Sequence, residues 1–455
     1  MKTKSIFTGI LLMVFLLSAV AATAMARDWK QEQDQMFATI GAKPGDVFDK
    51  NNVDQIAKYL PPGVVTWVKR GELTIKLADL KYDVYPGEEW ETLSQKNVGK
   101  YGLDKNKEII EVSTGKLPIY VEGDLYPNID YANDPDAAIK FIHNVVAMRG
   151  RLGSLRCFPS TEWVGKGGLE RLALSEYIDN YQWNRPDGQI PNRNEMLQQQ
   201  LYKFVKPYDL QGMTNLTQRF LDPKPDAVYA YVPAIRRVKK LSGANRSDPY
   251  AGSDFVIDDS FGWAGKNASM KWTMVEKEVI TLVEMPRWAA DKAIVCNKQQ
   301  DGSFMANSGN FRSAYEVEGA TEAPWQKVDA VWVPRKVRVV EANALDPYYT
   351  YGKCIYHVDP YMGFVHKAIY NRAGEYWKTM TIFPGCYDWM DGGKLVRRIT
   401  TGYVIGYVVV DEKTQHASVS EESGTVEGQL LNPKFMDPTI KLNMFEPTYL
   451  TTWSR

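Results

Sequence analysis

The residues best placed to do chemistry lie in one stretch. From Ala227 to Lys266 the chain reads AVYAYVPAIRRVKKLSGANRSDPYAGSDFVIDDSFGWAGK. An aromatic, β-branched strand carries Tyr229 and Tyr231, and after Pro233 a basic strand carries Arg236, Arg237, Lys239 and Lys240. A Gly/Asn/Ser/Asp/Pro-rich loop follows, bearing Asp248, Asp254, Asp258 and Asp259. Strand side chains alternate, so Arg236 and Arg237 are expected on opposite faces of a sheet. With one face covered, one guanidinium is driven inward and needs a hydrogen-bonded carboxylate partner. Asp254, Asp258 and Asp259 are the nearest in sequence. Such a pair either clamps a loop across the sheet or offers a polar contact to a ligand head group at a cavity mouth, with Tyr229 and Tyr231 in one wall.

Elsewhere the signatures of catalysis are missing. The four histidines are His143, His357, His366 and His416, with no i, i+4 pair, no HExxH and no zinc-finger spacing. His357 and His366 fall on neighbouring expected strands and could face each other. No G-x-S-x-G elbow occurs, and Gly165-Lys166-Gly167-Gly168 lacks the spacing of a phosphate-binding loop. Asp258-Asp259 and Glu88-Glu89 with Glu91 read as loop solvation rather than acid/base pairs. No catalytic residue, metal site or cofactor is expected.

The elements that must position the central stretch follow from the rest of the chain. Lys2 and Lys4, an apolar run from Ile6 to Val20, and Ala24-Met25-Ala26 read as a signal peptide cleaved after Ala26, which places the protein in the periplasm. With 55 Lys+Arg against 55 Asp+Glu, losing Lys2 and Lys4 leaves a formal charge of −2, with no basic field for nucleic acid. Cys157, Cys296, Cys354 and Cys386 permit two disulfides in any of three pairings, or four free buried thiols. Thirteen Trp and 26 Tyr can line a core or a cavity.

Helices are expected over 28–40, 51–59 and 135–148, the last capped by Asp134 with a proline at its first position. Short strands are expected at 64–68, 73–80 and 109–112, with a loop over 82–101. Residues 150–225 alternate short apolar runs with Pro, Gly, Asn and Gln, and no element is assigned there. A strand pair or one long strand is expected over 272–285, and 330–341 repeats the pattern of aromatic strand, proline and basic strand. An antiparallel meander spans 353–383, and a hairpin spans 403–420. The tail from Asn432 should wrap the body. The fold class is therefore mainly β with peripheral helices, in one extended domain.

The central motif, Tyr-x-Tyr-x-Pro-x-x-Arg-Arg-Val-x-x-Leu followed by Gly252-Ser253-Asp254-Phe255 and Asp258-Asp259, resembles the outer-membrane lipoprotein-sorting superfamily of LolA/LolB-like carriers. More closely, it is similar to a large proteobacterial periplasmic family of unknown function beside that superfamily. Gly123-x-x-Tyr126-Pro127 before Asp134-Pro135, Val339-Val340-Glu341-Ala342, and Tyr370-Asn371-Arg372-Ala373-Gly374-Glu375-x-Trp377-Lys378 also match, although that family more often has Asp where Asn371 stands. The resemblance implies a large curved antiparallel sheet, or incomplete β-barrel, with helices covering its concave face. It also implies a periplasmic carrier for a lipid or other hydrophobic small molecule, partnered with a resistance-nodulation-division type transporter and an outer-membrane protein. A non-catalytic docking scaffold is the alternative, and a hydrolase the third.

Overall fold

The computed structural model describes residues 28–192, 194–241, 246–400, 403–426 and 429–454. The expected signal peptide, residues 1–26, lies outside them. Four helices precede the main sheet: α1 (Trp29–Ile40), α2 (Pro62–Lys69), α3 (Glu88–Gln95) and α4 (Ala137–Ala147). The main strands are β1 (Ser160–Gly165), β2 (Gly168–Tyr181), β3 (Met196–Lys206), β4 (Thr214–Phe220), β5 (Ala227–Val232), β6 (Arg237–Leu241), β7 (Met270–Pro286), β8 (Ala330–Ala344), β9 (Lys353–Asp359), β10 (Gly363–Tyr370), β11 (Tyr376–Pro384), β12 (Val404–Asp411) and β13 (His416–Glu421).

These strands pair antiparallel in the order β6-β5-β4-β3-β2-β1-β13-β12-β11-β10-β9-β8-β7. Among the described residues β6 and β7 each have one strand neighbour, so the sheet stays open. A branch leaves the far half of β2 through Ser154–Cys157 and runs through short strands to Lys394–Ile399. The protein is thus mainly β, a large curved antiparallel sheet not closed into a barrel, with helices packed against it.

Turn chemistry placed β9 to β13 as the sequence suggests, and His357 does stand opposite His366, with ring centroids 5.9 Å apart. Other expectations change, among them the cap of α4, which starts at Ala137 after Asp136 rather than at Pro135 after Asp134. Residues 64–68 are helical, not strand. Pro62 starts the helix, and Val64, Trp67 and Val68 then fall on one buried side at helical spacing. Within 82–101, α3 opens on Glu88, Glu89 and Glu91, whose charges favour a helix N-terminus. Within residues 150–225, where no element was assigned, lie the long strands β1 to β4. The four cysteines are buried free thiols, so no disulfide forms.

Two faces of the sheet are covered differently. On one, α2 seats against β11: Trp67 is fully buried and its Nε1 donates to Glu412 Oε1 at 2.9 Å, which also accepts from Thr379 Oγ1 at 2.6 Å. Bulges in β7 bend the β7–β8 hairpin over this same face, where His366 Nε2 bonds the Leu282 carbonyl at 2.9 Å and stacks on Trp332. The tail also packs here, with Phe445, Leu450 and Trp453 on Ile178, Leu201 and Leu216. On the other face a strap, residues 246–269, crosses the sheet beside α4.

Replacing Trp67 by Ala should destabilise the fold by about 3–5 kcal/mol, through lost packing and an orphaned Glu412 bond. Chemical denaturation checks this, and a midpoint near that of the native protein would show that α2 is not part of the core.

Candidate functional site

Strand register builds a floor for the strap. Asp179, Gln200, Thr217, Val228 and Leu241 are successive partners across β2, β3, β4, β5 and β6, so they form one row on the strap face. Tyr177, Tyr202 and Asn215 form the adjacent row. Asp179 is fully buried and accepts from Tyr177 Oη at 2.6 Å and Gln198 Nε2 at 2.8 Å. Burial raises its carboxyl pKa, and these donors hold the rise in check.

The strap meets this floor with aromatic rings. Tyr250 stacks between Phe204 and Phe255 at 5.8 Å each, and Phe255 sets its edge on Tyr407 at 5.4 Å. Phe261 leans on Tyr177 and Tyr403. Such pairs are worth roughly 0.5–1.5 kcal/mol each beyond area burial. Phe261 has φ 55° and Gly262 φ 85°. The left-handed region costs a side-chain-bearing residue about 1–2 kcal/mol. At Gly262 a Cβ would also stand 2.4 Å from that of Phe364.

Buried cations offset that strain. Arg149 Nη2 donates to the Phe261 carbonyl at 3.1 Å, with its guanidinium over the ring of the same residue. Arg219 and Arg246 both donate to the Ala264 carbonyl, at 2.6 and 2.7 Å. Arg219 also pairs with Asp226 at 2.8 Å and Arg246 with Asp258 at 2.6 Å. Burial alone would push the Asp226 carboxyl up, but the two guanidinium groups override it and hold it below the ordinary range. Lys367 on β10 pairs with Asp259, both fully buried, and Asp259 also accepts from Tyr351 Oη at 2.6 Å and the Val256 amide at 2.8 Å.

Arg236 and Arg237 take no part in these contacts. Arg236 sits at φ 49°, outside the strand, and Arg237 begins an edge strand, so the alternation argued for them never applies and both are exposed. Asp254 instead accepts from Ser418 Oγ at 2.8 Å and lies 2.6 Å from His416 Nδ1. Tyr229 and Tyr231 point to the opposite face, against the C-terminal tail, and form no cavity wall. The basic strand β6 is solvated. Arg149, Arg219 and Lys367 carried no sequence signal beyond being cations among apolar residues, and Arg246 none beyond being a cation in a polar loop.

Between strap and floor lies a cavity of about 120 Å³, lined among others by Tyr177, Tyr202, Thr217, Tyr250, Phe261 and Tyr407. Glu422 is at its edge, accepting weakly from Cys157 Sγ at 3.6 Å, and burial pushes its carboxyl up to about 8. A second cavity of about 80 Å³ adjoins it under α4, where His143 Nδ1 bonds Asn267 Nδ2 at 3.0 Å. Burial lowers the His143 pKa to about 4. Among the described residues no cluster of three or more His, Cys, Asp or Glu side chains could hold a metal ion.

A family model described as a protein of unknown function, DUF1329, matches residues 47–450. The chain belongs to the DUF1329 family. Solved structures are similar to this DUF1329 chain at low identity. A putative outer membrane lipoprotein-sorting protein domain from Vibrio parahaemolyticus is 14% identical, with a TM-score of 0.45 over 70% of this chain and 100% of that one. A DUF1329 family protein from Desulfovibrio piger ATCC 29098 is 11% identical, with a TM-score of 0.42 over 70% and 100%. A LolA superfamily protein from Nitrosomonas europaea is 11% identical, with a TM-score of 0.37 over 67% and 97%. No curated protein matches.

Two predictions test the site. Lys367→Met strands a buried carboxylate and should cost about 3–5 kcal/mol, with Asp259→Asn recovering part of it in the double variant. Arg236→Ala and Arg237→Ala should each stay within about 0.5 kcal/mol of the native protein, as surface changes do. Equal losses at Lys367 and Arg236 in urea melts would refute the assignment.

The second concerns pH. Glu422 ionises at its ordinary 4.5 in the unfolded chain and only near 8 in the folded one. The folded state holds the extra proton across that window, so stability falls as pH rises through it, by up to about 1.4 kcal/mol per pH unit. Melting temperatures of Glu422→Gln should match the native protein at pH 4 and exceed it increasingly from pH 5 to 8. Parallel curves would show that Glu422 is not desolvated.

Proposed function

We propose that this protein is a carrier or binding protein for a hydrophobic molecule, and that the molecule sits between the strap and the polar floor of the sheet. The observation that carries this reading is the cavity itself. Its roof is apolar, from Phe255, Ile257, Phe261 and Ala264, and its floor offers hydroxyl and amide groups in register. Ligand sites are typically apolar hollows with a few placed polar groups. The signal-peptide character of residues 1–26 supports a periplasmic location. The family resemblance of the central motif supports service between inner and outer membrane, with a transporter of the resistance-nodulation-division type and an outer-membrane protein as partners.

Size decides how the cargo is held. An apolar cavity of about 150 Å³ takes one benzene ring, so 120 Å³ receives a ring or the end of a chain. Burying roughly 150 Å² of such a group at about 25 cal/mol per Å² yields close to 4 kcal/mol, a millimolar affinity. A larger cargo gains affinity only by extending along the strap. Modest affinity suits a carrier, which must release what it binds.

Native mass spectrometry with organic extraction, on protein purified from the periplasm, should find a co-purifying hydrophobic molecule. Thr217→Trp, which fills the cavity from the β4 row, should lose that molecule while melting normally. A folded native protein that carries nothing and takes up nothing after delipidation would leave the binding reading without support.

A further inference from the structure

The chemistry of the cavity wall restricts the charge of its occupant, resting on the binding reading above. Among the described residues the wall holds no Lys, Arg or His. Its polar groups are the hydroxyls of Thr161, Thr217, Ser260 and Ser420, the amides of Asn215 and Gln200, and several phenols. The carboxyl in the wall, Glu422, is desolvated and keeps its proton at neutral pH, where it serves as a neutral donor. The cations that pin the strap are already engaged. Arg149 is held by the Phe261 carbonyl, Arg219 and Arg246 by Ala264 and two aspartates, and Lys367 by Asp259.

A carboxylate or phosphate entering this space would shed its water and meet no counter-charge, which is costly for an ion and mild for a hydroxyl or carbonyl that finds hydrogen-bond partners. We infer that the cavity selects an uncharged apolar molecule bearing hydroxyl or carbonyl groups, and rejects fatty-acid carboxylates and phosphorylated lipid head groups. Thr217 and Asn215 on β4, Gln200 on β3 and Ser420 on β13 converge on the cavity from several strands, so a neutral polar group can find a donor or an acceptor around it. A carboxylic acid can enter only in its protonated form. With an ordinary carboxyl pKa near 4.3, that form is roughly one part in several hundred at pH 7. Discrimination against the acid, relative to the matching alcohol, should therefore reach at least about 100-fold.

Benzyl alcohol and benzoate share one ring and differ in charge. Saturation-transfer NMR on the full mature chain at pH 7, with Thr217→Trp as the blocked control, measures both. Benzyl alcohol should bind, lose its signal in the blocked variant, and outcompete benzoate by at least about 100-fold. Thr217→Lys, which sets a cation at a half-buried position of the wall, should raise benzoate affinity at least about tenfold, as a newly paired charge does. Benzoate binding within tenfold of benzyl alcohol, blocked by the same Trp, overturns the charge selection and leaves the binding site standing. If neither molecule binds the folded protein in a cavity-dependent way, the site fails and the charge selection fails with it.

Discussion

The strap depends on buried cations meeting backbone carbonyls. A chain segment laid across a sheet turns polar backbone groups into dry space, and each one left unpaired costs about 1–3 kcal/mol. Here the carbonyls of Phe261, Ala264 and Gly265 are met by Arg149, Arg219 and Arg246. A guanidinium fork suits this task, since one group can satisfy a carbonyl and a carboxylate together. The carboxylates of Asp226, Asp258 and Asp259 neutralise the same cations or their neighbour Lys367. Carbonyls, cations and carboxylates pair with one another along the strap, and Arg149 holds Phe261 in a conformation it would otherwise leave.

From that network the rest of the site follows. With its far end fixed, the strap presents Tyr250, Phe255 and Phe261 to the sheet at ring-contact distance. The rings bridge from roof to floor and keep the two apart, which leaves space between them rather than a filled core. His416 and Ser418 on β13 fix the near end through Asp254. The cavity is a by-product of pinning a segment at both ends over a sheet whose floor side chains are short or polar.

What the sequence conveyed about this network was its acids. Asp254, Asp258 and Asp259 stand out, and each does take a buried or half-buried polar partner. The identity of the partners was not legible, because a partner is chosen by register and crossing, not by distance along the chain. Lys367 is over a hundred residues from Asp259, yet β10 brings it beneath the strap. Arg236 and Arg237 are close in sequence, but Pro233 and a left-handed Arg236 turn them out to solvent. The meander from β9 to β13 was readable because Asp359-Pro360 and Arg372-Ala373-Gly374 punctuate apolar alternation. Helix α2 was not, because its Val-Val-Thr-Trp-Val run is β-branched and only its packing partners reveal the helical side.

The strands β1 to β4 were the least legible part, and the reason is the site. A strand announces itself when one face is uniformly apolar against a core. On β2 and β3 the strap face carries Tyr177, Asp179, Gln198, Gln200 and Tyr202, because it borders space and an internal hydrogen-bond row instead of packed side chains. The opposite face carries Ile178 and Leu201 against the tail, which alone gives too weak a period. A polar floor is unfavourable for a plain core and is tolerated where a cavity or ligand meets it. The stretch that was assigned no element is therefore the one that forms the cavity floor.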